Sequence, residues 1–321
     1  MREVLPMLAA ALLPLVAAAS TVHYPDKPVR VVVPNLSGST SDVVARLVAP
    51  ELGKQLGHAF IVDNRAGANG LIGTELAAKA NPDGHTLLLG TTHTLAIARH
   101  VQKDLPYDTL RDFAPVGLLS VRAYLLVTHP DLAVTSVRDL IALARVQSRS
   151  PPYASAGNGS STHLAMEHFE RAAGIDLRHV PYKGSLQATL AVVQGRIPVA
   201  MLSLRDALPY VETRRLRVLA STGSRRSPQL PDIPTLAESG MPGFEALTWH
   251  AIVAPARTPA PIVERLSQTL QQAIRSPSMH ARLERLGLQP GDGDTRMLQA
   301  LIRRDVEFYG KLTRSSGVNV N

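Results

Sequence analysis

The sequence predicts an α/β protein of two lobes with a ligand cleft between them. Three observations carry that prediction. Short runs rich in β-branched residues or leucine alternate with amphipathic helical segments, the order that builds a parallel-rich sheet with helices on both faces. The order restarts after the stretch "LPYDTLRDFAPVGLLSVRAYLLVTHPDL", which marks a second α/β unit. A late strand-like run, "LTWHAIVAPA", then reads as a return to the first unit. A discontinuous first lobe implies two crossovers, near 120–125 and 244–250, and a cleft at the boundary, where ligands commonly sit.

The elements follow in order. Residues 29–33 read as a strand, 34–41 as a loop and 42–56 as a helix closed by Gly57. A strand at 60–62, a Gly-rich loop, a helix near 72–80, a strand at 86–89 and a loop at 90–94 come next. In the second unit the pattern gives helix 136–147, strand 153–155, helix 164–173, strand 178–182 and helix 185–194. "IPVAML" and "LRVLAST" read as strands and the Pro-rich 228–242 as a loop, before helices at 260–274, 277–286 and 295–314. The implied division is a leader at 1–19, a first lobe of 20–122 with 248–321, and a second lobe of 123–247.

Composition bounds the function. With 45% hydrophobic and 19% charged residues over 321 positions, the chain is globular and large enough to bury a sizeable core. "MREVLPMLAAALLPLVAAAS" has the basic start, apolar run and small-residue end of a secretory leader, with cleavage expected after Ala19. Its apolar run is shorter than the roughly 20 residues of a membrane span, so export to the periplasm is expected. There is no cysteine, hence no disulfide, thiolate nucleophile or Cys-type zinc site. The net charge of +8 is spread, with modest clusters at Arg214–Arg215–Arg217, Arg225–Arg226 and Arg303–Arg304; only 4% of residues are aromatic. Nothing interleaves stacking platforms with those cations, so no nucleic-acid partner is expected.

The loops narrow the chemistry. "YASAGNGSSTHLAMEHF" has Gly157 and Gly159 but Thr162 where a dinucleotide fingerprint needs its third glycine. No P-loop and no G-x-S-x-G elbow occurs, and His163, Glu167 and His168 are spaced as neither common zinc motif requires. No cofactor or metal is expected. What remains is anion capture by helix N-termini, whose unpaired N–H groups and dipole favour negative charge, against the plainer role of helix capping. Three loops lie between a strand's carboxyl end and a helix start: Asn35 to Asp42, Gly90 to Thr94, and Asn158 to His163. That edge is the ligand edge of an open α/β sheet, and a carboxylate held between facing N-termini would draw the lobes together.

These residues resemble a known family. "YPDKPVRVVVP", "DNRAGANGLIGTELAAKANPDGHTLLLGT", "LPYDTLRDFAPVGLL", "YASAGNGSSTHLAMEHF", "HVPYKGS" and "RSPQLPDIPTLAESGMPGFEALTWHAIVAPARTPAPIV" together look like Bug-type, TctC-like substrate-binding proteins of tripartite tricarboxylate transporters. The resemblance implies a periplasmic, two-lobed binding protein of type II-like (Venus flytrap) fold. It also implies a monomer without catalytic residues, which delivers a small carboxylate to membrane permease subunits. Carried over by position, it places Ser37, Gly38, Ser39, Thr40 and Ser41, and Asn158, Gly159, Ser160, Ser161 and Thr162, at the ligand carboxylate. Thr91, Thr92 and His93 would line the same cleft, with Lys183 and Gly184 at the second-lobe wall.

Two stretches depart from the family's pattern. "PNLSGSTSD" keeps Pro34, Gly38 and Asp42 but has Asn35 in place of a bulky apolar residue and Ser39 in place of a glycine. Ser203-Leu204-Arg205-Asp206 stands where the family has an Asp-Asn type segment, so Arg205 either pairs with a second carboxylate or faces solvent. A sensory protein of the same fold, presenting its ligand to a membrane receptor kinase, is the alternative role.

Overall fold

The structure, a computed structural model, describes residues 24–146 and 150–316; the leader and its cleavage point lie outside the described residues. In chain order the elements are β1 Val29–Val33, α1 Thr40–Leu56, β2 Phe60–Asn64, α2 Leu71–Ala78 and β3 Thr86–Thr91. A π-helical turn, His93–Ile97, runs into α3 Ala98–Val101, followed by α4 Thr109–Asp112 and the long strand β4 Phe113–Thr128. The middle of the chain forms α5 Val137–Arg145, β5 Pro152–Ser155, α6 Ser161–Ala173, β6 Arg178–Pro181, α7 Ser185–Val193, β7 Val199–Ser203, α8 Leu204–Glu212 and β8 Arg217–Ser221. The return comprises β9 Leu247–Pro255, α9 Ala260–Arg275, α10 Pro277–Arg285, β10 Gln289–Pro290 and α11 Thr295–Ser316.

The strands order as β2-β1-β3-β9-β4-β7-β5-β6, with β10 and β8 also on β4. The outer pairs β1–β2, β1–β3, β5–β6 and β5–β7 are parallel, as the alternating pattern implies, but every pairing of β4 and β9 is antiparallel. The parallel-rich expectation therefore holds only for the wings. Chain direction is reversed at the centre because β4 leaves one half of the sheet and β9 comes back to it.

β4 is the physical link between the halves. Its first part, to Ala123, pairs with β9, and its last part, from Tyr124, pairs with β7. Each half is covered on both faces, and the strands show it residue by residue. Val31, Val33, Leu87 and Leu89 pack with α1, α9 and α10, whereas the intervening Val32 and Leu88 pack with the π-helical turn and α11. Alternate side chains point to opposite faces, so a strand buried on both reads as an unbroken apolar run. In the other half, Tyr124, Leu126 and Met201 pack with α5 and α6, while Leu125, Val127 and Leu202 pack with α7 and α8. Each fully buried valine or leucine in these layers contributes about 1.5–3 kcal/mol.

Three boundaries differ from the pattern reading in ways that matter for the site. Helices α1 and α6 begin at Thr40 and Ser161, so the small residues expected in loops form the first helical turns, capped by Ser39 and Ser160. Strand β3 runs through Thr91 and helical backbone follows at once, leaving almost no loop at 90–94. Helix α8 is absent from the sequence reading because Pro209 interrupts its pattern and a polar turn opens it.

Candidate functional site

The first loop folds around an acid. Ser39 is the N-cap of α1, its Oγ accepting from the Asp42 N–H at 3.3 Å. Asp42 in turn accepts from the Gly38 N–H at 2.9 Å and from Arg46 Nε at 2.9 Å, with the Ser37 hydroxyl at 3.5 Å. Burial pushes the Asp42 carboxyl up, but hydrogen bonds from Arg46, Gly38 and Asn64 outweigh it and hold the group below its ordinary value. The donors of Ser37 and Gly38 are thus turned onto Asp42. The Asn35 backbone carbonyl accepts from Asn64 Nδ2 at 3.1 Å, while the Asn35 Oδ1 is buried without a partner; Ser41 is buried.

The α6 loop is also internally bonded. Gly157 and Gly159 take φ values of 125° and 66°, which only glycine adopts freely. Gly159 donates its N–H to His163 Nδ1 at 3.0 Å, and Ala156 donates to Thr162 Oγ1 at 3.0 Å. Ser160 Oγ accepts from the His163 N–H at 3.3 Å. The N–H groups of Ser161 and Thr162, the first two of α6, have no intrahelical acceptor. Asn158 is exposed at the tip. His163 stacks on His179 with ring centres 3.8 Å apart and meets Glu167 at 3.3 Å, while His168 stacks on Phe244. No three His, Asp or Glu residues come together as a metal site among the described residues.

The helix starts of the second half converge. Ser161 and Thr162 of α6, Ser185 of α7, and Ser203 and Asp206 at the start of α8 line one cavity of about 40 Å³ with Arg122 and Tyr124 of β4. Arg122 and Tyr124 are two residues apart on a strand and so share a face, the guanidinium carbon lying 5.9 Å from the ring centre. Tyr124 is 1% exposed and its hydroxyl has no partner; Arg122 Nε is likewise buried and unpartnered. The contacts of the Arg122 guanidinium are with Thr40 and the Tyr124 ring, with no acidic partner among the described residues, and its charge adds to burial in lowering His250 to about 3. Asp206 accepts from the Ser203 hydroxyl at 2.7 Å, so the one acid of the cavity is already bonded.

Two arginines join this cavity to the first loop. Arg122 Nη1 lies 3.4 Å from Thr40 Oγ1, and Arg205 Nη1 lies 3.5 Å from the same oxygen. Arg205 also donates to the Gly38 carbonyl at 3.3 Å, so this exposed side chain spans the gap instead of pointing to bulk solvent.

The structure thus gathers Thr40, Ser161, Thr162, Ser203 and Arg205 around this cavity, and the other candidates are not among its lining residues. Thr92 is buried, its Oγ1 accepting from the Trp249 N–H at 2.8 Å and from Thr248 at 3.2 Å, which fastens β9 to the end of β3. Thr91 is bonded to Thr94, and burial lowers His93 to about 4 with its Nε2 unpartnered. Lys183 is exposed; Gly184, at φ 110°, starts α7, and the following residue, Ser185, reaches the cavity. Arg122, Tyr124, Ser185 and Asp206 are the polar and charged lining residues that sequence reasoning missed. A lone arginine inside the otherwise apolar run "SVRAYLLV" is the signal that could have found the first two.

Comparison with known proteins identifies the family and the fold. The family model for the "Tripartite tricarboxylate transporter family receptor", TctC, matches residues 44–318. The structure of R. palustris Rpa4515 with adipate is 35% identical and superposes with a TM-score of 0.83, covering 92% of this chain and 99% of that one. MatC from Rhodopseudomonas palustris with bound malate is 29% identical at a TM-score of 0.78, over 90% of this chain and 99% of that one. Protein BugT of Bordetella pertussis is 32% identical over 307 residues, 95% of this chain and 94% of BugT. The fold is that of the periplasmic binding proteins of the Bug type, and the chain belongs to the TctC family of tripartite tricarboxylate transporter receptors.

Proposed function

We propose that this chain captures a small carboxylate outside the cytoplasm and hands it to the membrane permease subunits of a tripartite tricarboxylate transporter. It does so as a monomer, without a catalytic step, after export and removal of the leader behind Ala19. The lobes are 20–122 with 248–321, and 123–247, hinged where β4 and β9 cross. The observation that carries this reading is the convergence of three helix starts on a cavity holding an acid-free guanidinium and an unpartnered tyrosine hydroxyl. Helix N-termini and Arg122 favour an anion, and a carboxylate has the planar pair of oxygens that a guanidinium and a hydroxyl meet. Binding of adipate and malate by two relatives supports the same ligand class.

In this reading the ligand bridges the N-terminal turn of α6 and Arg122 on one side and Thr40 on the other, replacing the weak arginine–threonine contacts now spanning the cleft. The test is a thermal-shift screen of the purified protein against mono-, di- and tricarboxylates, amino acids and aromatic acids. A ligand at about 100 times its dissociation constant adds roughly 2.7 kcal/mol of stability. A shift confined to carboxylates supports the reading, and a panel without any shift overturns it.

A further inference from the structure

The strand that links the halves has a cavity on each face. Arg122 and Tyr124 face the cleft, whereas Ala123 and Leu125, their neighbours along β4, line a second cavity of about 440 Å³ behind it. The two spaces are separated by the thickness of one strand, because side chains alternate along it. Walls of the rear cavity come from both halves of the sheet. Ser221 and residues 225–229 close it on one side; His280, Glu284 and residues 287–290 close it on the other. The volume lies in the range of about 300–1,000 Å³ that small-molecule pockets occupy.

The lining has a definite chemistry. Ala123, Leu125, Leu204, Leu288 and Pro290 make an apolar floor. Ser221 sits in it at 2% exposure with its hydroxyl unpartnered, an uncommon state for a buried polar group. Of the two adjacent arginines, Arg226 is held by Glu238 at 2.9 Å, while Arg225 has no ion pair among the described residues. Glu284 is exposed at the rim, and His280 is the remaining basic group.

We propose that this rear cavity is a second ligand site, taking a small amphipathic organic anion: one carboxylate or sulfonate on a hydrophobic body. The anionic end meets Arg225, the body lies on the apolar floor against β4, and the Ser221 hydroxyl supplies the polar contact at its base. Because both halves build the walls, an occupant bears on the hinge from behind, and any difference in its affinity between hinge positions couples it to the cleft. The site stands whether or not the cleft carries a carboxylate.

The probe is anilinonaphthalene sulfonate, an aromatic anion of this class, titrated into the purified protein and followed by its fluorescence. The expected result is one saturable site, weakened at least about tenfold by Arg225→Glu, which removes a charge-assisted contact, and by Gln229→Trp, which fills the opening. Arg122→Ala, on the other face of β4, leaves dye affinity unchanged, and Arg225→Glu leaves carboxylate binding in the cleft unchanged. Both rear substitutions are at exposed or half-buried positions, and circular dichroism confirms that the variants fold. Dye affinity that falls with Arg122→Ala but not with Arg225→Glu would overturn the proposal, as would fluorescence that rises without saturating.

Discussion

Arg205, near the start of α8, donates to the carbonyl of Gly38 at 3.3 Å, joining that helix to the loop before α1, 167 positions away in the chain. The contact is exposed, and exposed polar contacts contribute little to stability. Its consequence is geometric: it holds the loop of α1 against the second half of the molecule. Arg205→Ala is therefore expected to leave the melting temperature nearly unchanged, within about 0.5 kcal/mol, while loosening the cleft. Small-angle X-ray scattering of the ligand-free protein should give a larger radius of gyration for the variant; superimposable profiles would show that the contact does not hold the halves.

Arg122 has the opposite profile. Its guanidinium lies over the Tyr124 ring and within 3.4 Å of Thr40, facing the cavity where three helices begin. A hydrogen bond to a charged group is worth about 1.5–3 kcal/mol, so Arg122→Ala should weaken carboxylate binding by roughly 10- to 150-fold. Arg122→Lys should restore only part of the affinity, since an ammonium cannot present two parallel donors. Calorimetric titration of the three proteins reads both effects, and equal affinities for wild type and Arg122→Ala would remove Arg122 from the site.

These two arginines also mark where the sequence stops being legible. Element order was readable in the alternating wings but not at β4 or α8, because periodicity and caps are local: Gly57 and Gly174 end α1 and α6 in the left-handed region, and Ser136 with Asp139 closes a capping box on α5. The loop at 157–162 was readable as leading into a helix start, and the resemblance placed it at the ligand. Which of its donors remain available was not readable, since that depends on partners the fold supplies. Gly159 shows this: its N–H is bonded to His163, and at φ 66° a valine there would be strained before any ligand was met. For Arg122 and Tyr124 the local signal is a single arginine in an apolar run, and it does not tell that Arg122 meets Thr40, because that contact spans the two halves.

Trp249 anchors the returning strand. It is fully buried, its indole N–H donating to Asp305 of α11 at 2.7 Å, and Asp305 is paired with Arg304 at 2.8 Å. Trp249→Ala empties a large space and leaves a buried carboxylate short of a donor, so a loss of about 3–5 kcal/mol is expected in urea unfolding. Wild-type unfolding can be followed by intrinsic fluorescence, since this is the only tryptophan of the chain, and the variant by circular dichroism. A loss under about 1 kcal/mol would contradict the packing described for β9 and α11.

Acid should destabilise the protein through its buried histidines. Burial is the main cause that lowers His93 to about 4, His179 to about 4 and His250 to about 3, all from an ordinary 6.5. Between those values the unfolded chain binds more protons than the folded one, so stability falls as pH drops from about 6.5 towards 4. The melting temperature of wild type should decline through that window, and His250→Gln should flatten part of the decline. A curve identical in wild type and variant would show that His250 is not neutral in the fold.

The measurement that bears most directly on carboxylate capture is a calorimetric titration of adipate and of malate into the purified wild-type protein and its Ser161→Pro variant. Proline at the first position of α6 keeps the helix, where it is tolerated, but removes one of the two N–H groups beside the cavity that have no intrahelical acceptor. Whichever acid binds is expected to do so with one site per chain and to lose at least about tenfold in affinity when that donor is gone. Tight binding of either acid that is indifferent to Ser161→Pro and to Arg122→Ala alike would contradict it, because the carboxylate would then be held somewhere other than at these helix starts.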